Sequence, residues 1–296
     1  MIQESGAPNG ITVCPACGGA ESTQVGQSAT ACDSVAGEKV FRHPAYAIRR
    51  CAGCGLYFKS HTLALGELAE YYARLECETF EHDGNFPTDQ FLRRTLESLP
   101  NGSKVLDFGC STGRILKNLT SRFNCFGVEL NEAAAAMARG RGIRIVSENQ
   151  LRAGESRDFD AILLTDVYEH LLRPVELVAM LAKLLKPGGW LAIVTGNADA
   201  IRTRDTIGEF WYFRVPGHFQ MLSGRHVDWL ADTLELHVDA LHRCSHYRSP
   251  LKDRLRQYVQ SFAYHQFRRA PRGGWPRFCG LSRSSTAPSD GPAHPH

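Results

Sequence analysis

The 296-residue sequence predicts an α/β chain: a doubly wound, mostly parallel sheet preceded by a small cysteine-rich module. Three observations carry that expectation. From Lys104 onward, short apolar runs alternate with helical stretches of about ten residues, the rhythm of strands crossed by helices on both faces of a parallel sheet. The first of these runs empties into a glycine-rich turn, Asp107-Phe-Gly109-Cys-Ser-Thr-Gly113. Ahead of it stand two Cys-x-x-Cys pairs, each followed by glycine (Gly18 and Gly55). Composition agrees, since 43% hydrophobic and 22% charged residues suit a globular chain and exclude disorder of the whole. No apolar run approaches the ~20 residues that span a bilayer, and the first 25 residues lack the order of a signal peptide. The chain is therefore expected to be soluble and cytoplasmic.

Taken in order, residues 1–60 form the cysteine module, with short β-like pieces around Lys39 and Tyr46. Leu65, Leu68, Tyr72 and Leu75 are spaced for a helix over Leu63–Leu75, followed by a loop over 76–88 and a helix over 89–99 that Pro100 stops. Residues 61–100 thus read as a helical linker or cap. The core, 101–245, begins with a strand at Val105–Phe108, a helix at Ile115–Phe123 and a strand at Cys125–Leu130. The Ala133–Arg139 run is a strong helix former ended by Gly140. Strands follow at Ile143–Val146, Phe159–Thr165 and Trp190–Thr195, with a Pro-led helix at Pro174–Leu185 between the last two. An aromatic-rich connection (198–222), a helix (223–234) and a strand (Glu235–Leu241) close the core. Residues 246–283 are a basic segment whose 250–269 stretch suits an amphipathic helix, and 284–296 read as a disordered tail.

The net charge of +3 hides an asymmetry. After Cys244 the last 52 residues hold 9 Lys/Arg against 2 Asp, leaving 25 basic against 29 acidic residues in the body. The ten cysteines are also uneven, because only Cys14, Cys17, Cys51 and Cys54 are paired in sequence. In a chain without a secretion signal such pairs argue for metal over disulfides. Two knuckles of thiolates supply the four sulfurs of one tetrahedral Zn(II), at about 2.3 Å each. The long gap between the knuckles fits a zinc ribbon with a hairpin insert. A loop of ordinary or redox-active thiols is the alternative. Four sulfurs leave no open coordination position, so the expected zinc is structural.

At the glycine-rich turn, glycine lets a ligand approach the backbone and the helix start presents amides to a carboxylate or phosphate. A dinucleotide site would want glycine where Ser111 stands. Asp107, two residues before the first glycine, has no use for a diphosphate but suits an ammonium group. Glu129 ends the next strand, where an acid accepts hydrogen bonds from ribose hydroxyls. A nucleoside joined to an amino-acid-like tail satisfies both, and S-adenosyl-L-methionine is that molecule. A nucleotide-binding sheet of another kind is the competing reading.

Residues 104–240 resemble class I S-adenosylmethionine-dependent methyltransferases of Rossmann-like fold. The matching stretches are 105–113, Gly-Val-Glu129, Phe-Asp160-Ala-Ile-Leu, Glu169-His170 and Leu-Lys-Pro-Gly-Gly-Trp-Leu (185–191). The resemblance implies that Asp107, Gly109, Cys110, Ser111 and Gly113 hold the methionine end and Glu129 the ribose. It also implies that Glu148–Leu151 flank adenine and that Thr165 and Asp166 close over the sulfonium. Cys110 is expected to pack and not to react. The layout of knuckles, Gly-Leu-Tyr-Phe (55–58), Glu-Leu-Ala-Glu-Tyr-Tyr (67–72) and core is similar to that of bacterial methyltransferases of sugars, surface glycans and secondary metabolites. In the sugar C-methyltransferases of this layout the zinc module helps to cover the substrate.

A hydroxyl or acidic-carbon acceptor must lose a proton, which makes histidine the first suspect. His218, in the connection after the fifth strand, and His170, after the fourth, are the catalytic candidates; for each, a structural role is the alternative. Tyr168, Trp211 and Tyr212 are candidates to line the acceptor pocket or simply to pack. The Asn/Asp-Pro-Pro-aromatic motif of many amino-group methyltransferases is absent, Thr165-Asp-Val-Tyr standing in its place. The expected function is methyl transfer to a small molecule, a sugar, glycan precursor or secondary metabolite. The alternatives are an RNA methyltransferase that uses the zinc module for recognition, which the acidic body disfavours, and an inactive cofactor-binding scaffold. The basic segment suits either a solvated helix or contact with an anionic membrane surface.

Overall fold

The computed structural model describes residues 10–28, 31–35, 38–43, 46–63, 66, 86–200, 207–208, 210–215, 217–245 and 282–284. The module contributes β1 (Ser22–Ser28), β2 (Ala31–Val35), β3 (Glu38–His43), β4 (Tyr46–Cys51) and β5 (Tyr57–Lys59). β1 pairs antiparallel with β4, and β4 with β5, while β2 and β3 form the hairpin inserted between the two knuckles.

The core sheet holds β6 (Lys104–Phe108), β7 (Asn124–Val128), β8 (Arg144–Ile145), β9 (Phe159–Thr165) and β10 (Leu185–Val194). All four pairings are parallel, in the order β10-β9-β6-β7-β8. Side chains alternate between its faces with the period of two that a pleated strand imposes. Val105, Ala161 and Leu163 pack on one side with Leu92 and Leu96, and Leu106, Ile162 and Leu164 on the other with Leu177 and Leu181. Both faces are therefore covered, which is the doubly wound arrangement. The strand order reverses between β6 and β9, so the crevice at their carboxyl ends is where such a sheet receives a ligand.

The helices α1 (Pro87–Glu97), α2 (Glu132–Gly140), α3 (Glu148–Arg152) and α4 (Pro174–Ala182) begin with recognisable caps. Proline opens α1 and α4, where its missing N–H costs nothing. The Asn131 side chain accepts from Ala134 N at the start of α2, and Ser147 with Gln150 forms a capping box on α3.

Residues 112–122, expected as a helix from Ile115, form a run of turns that mixes i→i−4 and i→i−3 bonds, such as Lys117 N to Gly113 O and Leu119 N to Leu116 O. Arginines engage three of the carbonyls nearby: Arg141 donates to Thr112 O, and Arg93 to Arg114 O and Ile115 O. Ile115, Leu116, Leu119 and Phe123 nevertheless face the core.

After β10 comes β11 (Gln220–Met221), then α5 (Gly224–Thr233), which Ser223 caps through His226 N. β11 pairs antiparallel with β5, giving the module's sheet the order β1-β4-β5-β11. The strand expected at Glu235–Leu241 is not formed. Glu235 adopts a left-handed φ of 54° directly after α5, which turns the chain out of extended conformation. A short strand follows instead, β12 (Arg243–Ser245), parallel to β13 (Ser282–Ser284). The expected basic helix at 250–269, the tail beyond 284 and most of the Leu63–Leu75 helix lie outside the described residues. No described helix is long and apolar enough to cross a membrane.

Candidate functional site

Asp107 sits in β6, fully buried, with its Oδ1 lacking any hydrogen-bond partner. Burial, reinforced by the nearby Glu129 carboxylate, pushes its pKa from 3.8 up to about 7. The chain then turns sharply. Gly109 has φ 78°, and a Cβ there would meet Val167 Cγ2 at 2.5 Å, so glycine lets the segment after β9 lie against the loop. The amides of Gly109 and Cys110 both donate to Val128 O (2.9 and 3.0 Å), drawing the loop onto the end of β7. The Cys110 sulfur packs where Gly127 lacks a side chain, and burial raises its thiol pKa well above the ordinary range.

Ser111 holds the position where glycine is usual and takes the left-handed conformation all the same, at φ 49°. Its amide donates to Glu129 Oε2 at 2.8 Å, and Asn131 N donates to Oε1 at 2.8 Å. Glu129 is thus fixed by two backbone amides while half of its four lone-pair sites stay available for hydroxyl donors. Across the crevice Thr165 ends β9 with its Oγ1 buried and unpartnered, and Asp166 follows at φ 56°. Gly113, also left-handed at φ 81°, closes the loop.

Asp107 Oδ1, Ser111 Oγ and Thr165 Oγ1 are thus buried oxygens without partners at the strand ends flanking the switch point. Such atoms are costly unless a ligand meets them. An ammonium group satisfies Asp107, and vicinal hydroxyls satisfy Glu129, so the residues present fit S-adenosylmethionine. The short helix α3, with Glu148 half-buried and Leu151 buried, stands where the adenine flank was expected.

The acceptor-side candidates converge. A carboxylate oxygen of Glu169 and ring nitrogens of His170 and His218 lie within 4.8 Å of one another. Their rings meet edge to face at 4.7 Å. His170 Nδ1 lies 2.9 Å from Gly217 O, and His218 Nδ1 lies 3.0 Å from Tyr212 O. A carbonyl only accepts, so each Nδ1 carries a proton and donates it to that carbonyl. Glu169 is fully buried; Thr195 Oγ1 donates to its Oε2 at 2.8 Å, and its Oε1 is unpartnered. Burial, with the Asp166 charge adding to it, raises the Glu169 pKa above the ordinary carboxylate range. Two imidazoles and a carboxylate of this kind have the chemistry to take a proton or to hold a divalent cation.

Glu169 joins this group of candidate residues, although the sequence pointed to it only as part of the Glu169-His170 stretch. Tyr212 stands behind this group, its hydroxyl bonded to Thr195 Oγ1 (2.9 Å) and Gly196 N (3.0 Å). Tyr168 is buried on the opposite side of the turn against His226, so it packs and does not line a pocket. The Trp211 side chain lies outside the described residues.

In the module, each Cys-x-x-Cys-Gly is a tight turn. Gly18 N donates to Cys14 O and Gly55 N to Cys51 O, at left-handed φ values of 71° and 79°. The four sulfurs form one cluster, with Cys14–Cys54 at 3.5 Å and Cys17–Cys51 at 3.4 Å. Four thiolates at the zinc–sulfur distance of a tetrahedral site stand about 3.8 Å apart, so this donor set fits Zn(II). The Cys54 thiol beside it lowers the Cys14 pKa, despite burial, which favours a thiolate at one corner.

Comparison with known proteins gives the following likenesses. A ubiquinone biosynthesis O-methyltransferase from Thiobacillus denitrificans is 32% identical over 108 residues, covering 33% of this chain and 47% of that protein. Another, from a Caulobacter species, is 32% identical over 127 residues, covering 40% of this chain and 46% of that protein. The chain spans about half the length of these curated relatives. The solved structure of an S-adenosylmethionine-dependent methyltransferase from Archaeoglobus fulgidus matches at a TM-score of 0.44 and 16% identity, over 70% of this chain and 94% of that one. A sequence model of the methyltransferase domain matches residues 80–241, more than half of the chain, and the chain belongs to that family.

Proposed function

We propose that this protein transfers a methyl group from S-adenosylmethionine to a hydroxyl of a small molecule. The observation that carries the reading is the pairing of two half-sites at one edge of the sheet. On one side lies a buried carboxylate with an orphaned oxygen (Asp107) beside an anchored one (Glu129); on the other lie His170 and His218 with basic nitrogens next to Glu169. When bound, S-adenosylmethionine supplies an electrophilic methyl carbon. Asp107 holds its ammonium, Glu129 its ribose, and the loop from Gly109 to Gly113 its methionine backbone, with Cys110 packed beneath. Thr165 and Asp166 close the sulfonium side. His218 would take the proton of the acceptor hydroxyl, which His170 would orient, while the donor that gives up the methyl group leaves as S-adenosylhomocysteine.

The likeness to O-methyltransferases of ubiquinone synthesis supports oxygen as the methylated atom. The acceptor classes are a phenol of that kind or the sugar, glycan precursor or secondary metabolite suggested by the knuckle-plus-core layout. The cysteine quartet holds structural Zn(II) and makes residues 10–60 a folded module ahead of the methyltransferase core. The test is His218→Ala. Affinity for S-adenosylhomocysteine is expected to persist while turnover falls roughly 100-fold or more, and full turnover would remove His218 from the mechanism.

A further inference from the structure

The three-residue turn Tyr168–His170 carries Glu169 and His170 but has little to hold it from within. It is a single 3₁₀ turn without a side-chain cap, made by His170 N to Val167 O and Leu171 N to Tyr168 O. Thr195 Oγ1 donates to the Glu169 carboxylate, and a set of further bonds to the turn comes from one segment, 217–226. Gln220 Nε2 donates to both Tyr168 O (2.8 Å) and Leu171 O (2.9 Å), and Phe219 N donates to Glu169 O (2.8 Å). His170 Nδ1 reaches Gly217 O, and the Tyr168 hydroxyl meets His226 Nε2 at 2.7 Å.

That segment is in turn fastened to the second cysteine knuckle. Ser223 Oγ donates to Gly55 O at 2.8 Å, and Arg225 Nη2 donates to Ala52 O (2.7 Å) and Gly53 O (2.9 Å). The Arg225 stem lies so close to Gly55 that a Cβ there would sit 3.0 Å from three of its carbons. Cys14, Cys51, Cys54, Tyr168, Leu222 and Leu230 belong to one apolar cluster. An unbroken path of direct contacts thus runs from the knuckle through Arg225, Ser223 and His226 to Tyr168 and the residues after it.

We propose that Arg225, His226 and Tyr168 are positioning residues that set the orientation of Glu169 and His170 according to the state of the Cys51–Gly55 knuckle. The cysteine module then acts as a support for the acceptor site, and not only as a cover over the substrate. The donor-side carboxylates lie elsewhere in the chain, Asp107 within β6 and Glu129 directly after β7. The proposal rests on placing His170 at the acceptor site, yet the coupling can be read without turnover.

The experiment uses the full chain with ¹³C-labelled histidine rings, His170 being assigned through His170→Gln. S-adenosylhomocysteine affinity is measured in parallel. In Arg225→Ala, in Tyr168→Phe and after chelation of the metal-loaded protein, the His170 resonance is expected to shift or broaden. Exposed His237 should stay fixed, and the S-adenosylhomocysteine Kd should stay within about twofold. The initial rate of methyl transfer should fall roughly 10- to 100-fold, as small misplacements of reacting groups do. Two results overturn the proposal. One is a His170 resonance unchanged in both variants. The other is a shift that appears only together with lost S-adenosylhomocysteine binding, which marks general loosening. Failure of methyl transfer in the parent protein, with the His170 response intact, would strike the proposed function and leave the coupling standing.

Discussion

Asp107 is the residue whose protonation most directly reports the donor side. Its pKa of about 7 in the fold lies above the ordinary 3.8, because burial and Glu129 disfavour the carboxylate. A raised folded pKa contributes stability that is complete below pH 3.8 and is lost as the pH climbs through about 7. An ammonium ligand reverses the preference, so binding expels the Asp107 proton on the acid side of neutrality. S-adenosylhomocysteine affinity is therefore expected to rise as pH increases from about 5.5 to 7.5, with close to one proton released per ligand by calorimetry in buffers of different ionisation enthalpy. Asp107→Asn should abolish that slope and cost about 1–3 kcal/mol of binding; a pH-independent affinity in the parent would contradict the assignment. Ser111 offers a second check. Its left-handed backbone costs about 1–2 kcal/mol in an L-residue, so Ser111→Gly should raise the stability of the ligand-free protein by up to about 1 kcal/mol in denaturant titration.

Among the elements, those with strong local signals were legible from residues alone. Pro174 opens α4, Ser223 caps α5, and the run Phe159–Thr165 is a strand buried on both faces. The elements that escaped are made by partners distant in sequence. A two-residue strand such as β11 has no periodicity to read, and only its pairing with β5, some 160 residues earlier by register, gives it a place. The chain at 112–122 carries helical spacing, yet arginines from α1 and from the end of α2 compete for its carbonyls. Asp107, Glu129 and the cysteine quartet were legible because spacing and residue type suffice to name them. The partnership of Glu169 with two histidines was not, because His218 lies on a connection with no regular pattern. Two stabilities follow at this scale. Leu96, buried where α1 meets the core sheet, should cost about 2–5 kcal/mol when changed to alanine. Chelation should lower the unfolding midpoint of a zinc-loaded sample, with one metal per chain lost; a metal-free protein with the same midpoint would remove zinc from the account.

Among the described residues the two larger sheets, that of the module and that of the core, are linked by the segment 217–226, with apolar packing around the cysteine knuckles beside it. The parallel sheet presents its carboxyl ends to the donor, and the segment 217–226 joins the acceptor-side histidines to the sheet of the cysteine module. Separate reading of the module and the core obscures this, since their connection is made by hydrogen bonds to carbonyls that no sequence pattern marks. The central claim is methyl transfer from S-adenosylmethionine to a small hydroxyl-bearing acceptor. It is tested most directly by incubating the full chain with methyl-labelled S-adenosylmethionine and a fractionated cell extract. The account predicts label in a low-molecular-weight, RNase-resistant product as a methyl ether, reduced roughly 100-fold or more by His218→Ala. Label confined to RNA, or no transfer by a protein that binds S-adenosylhomocysteine, would contradict it.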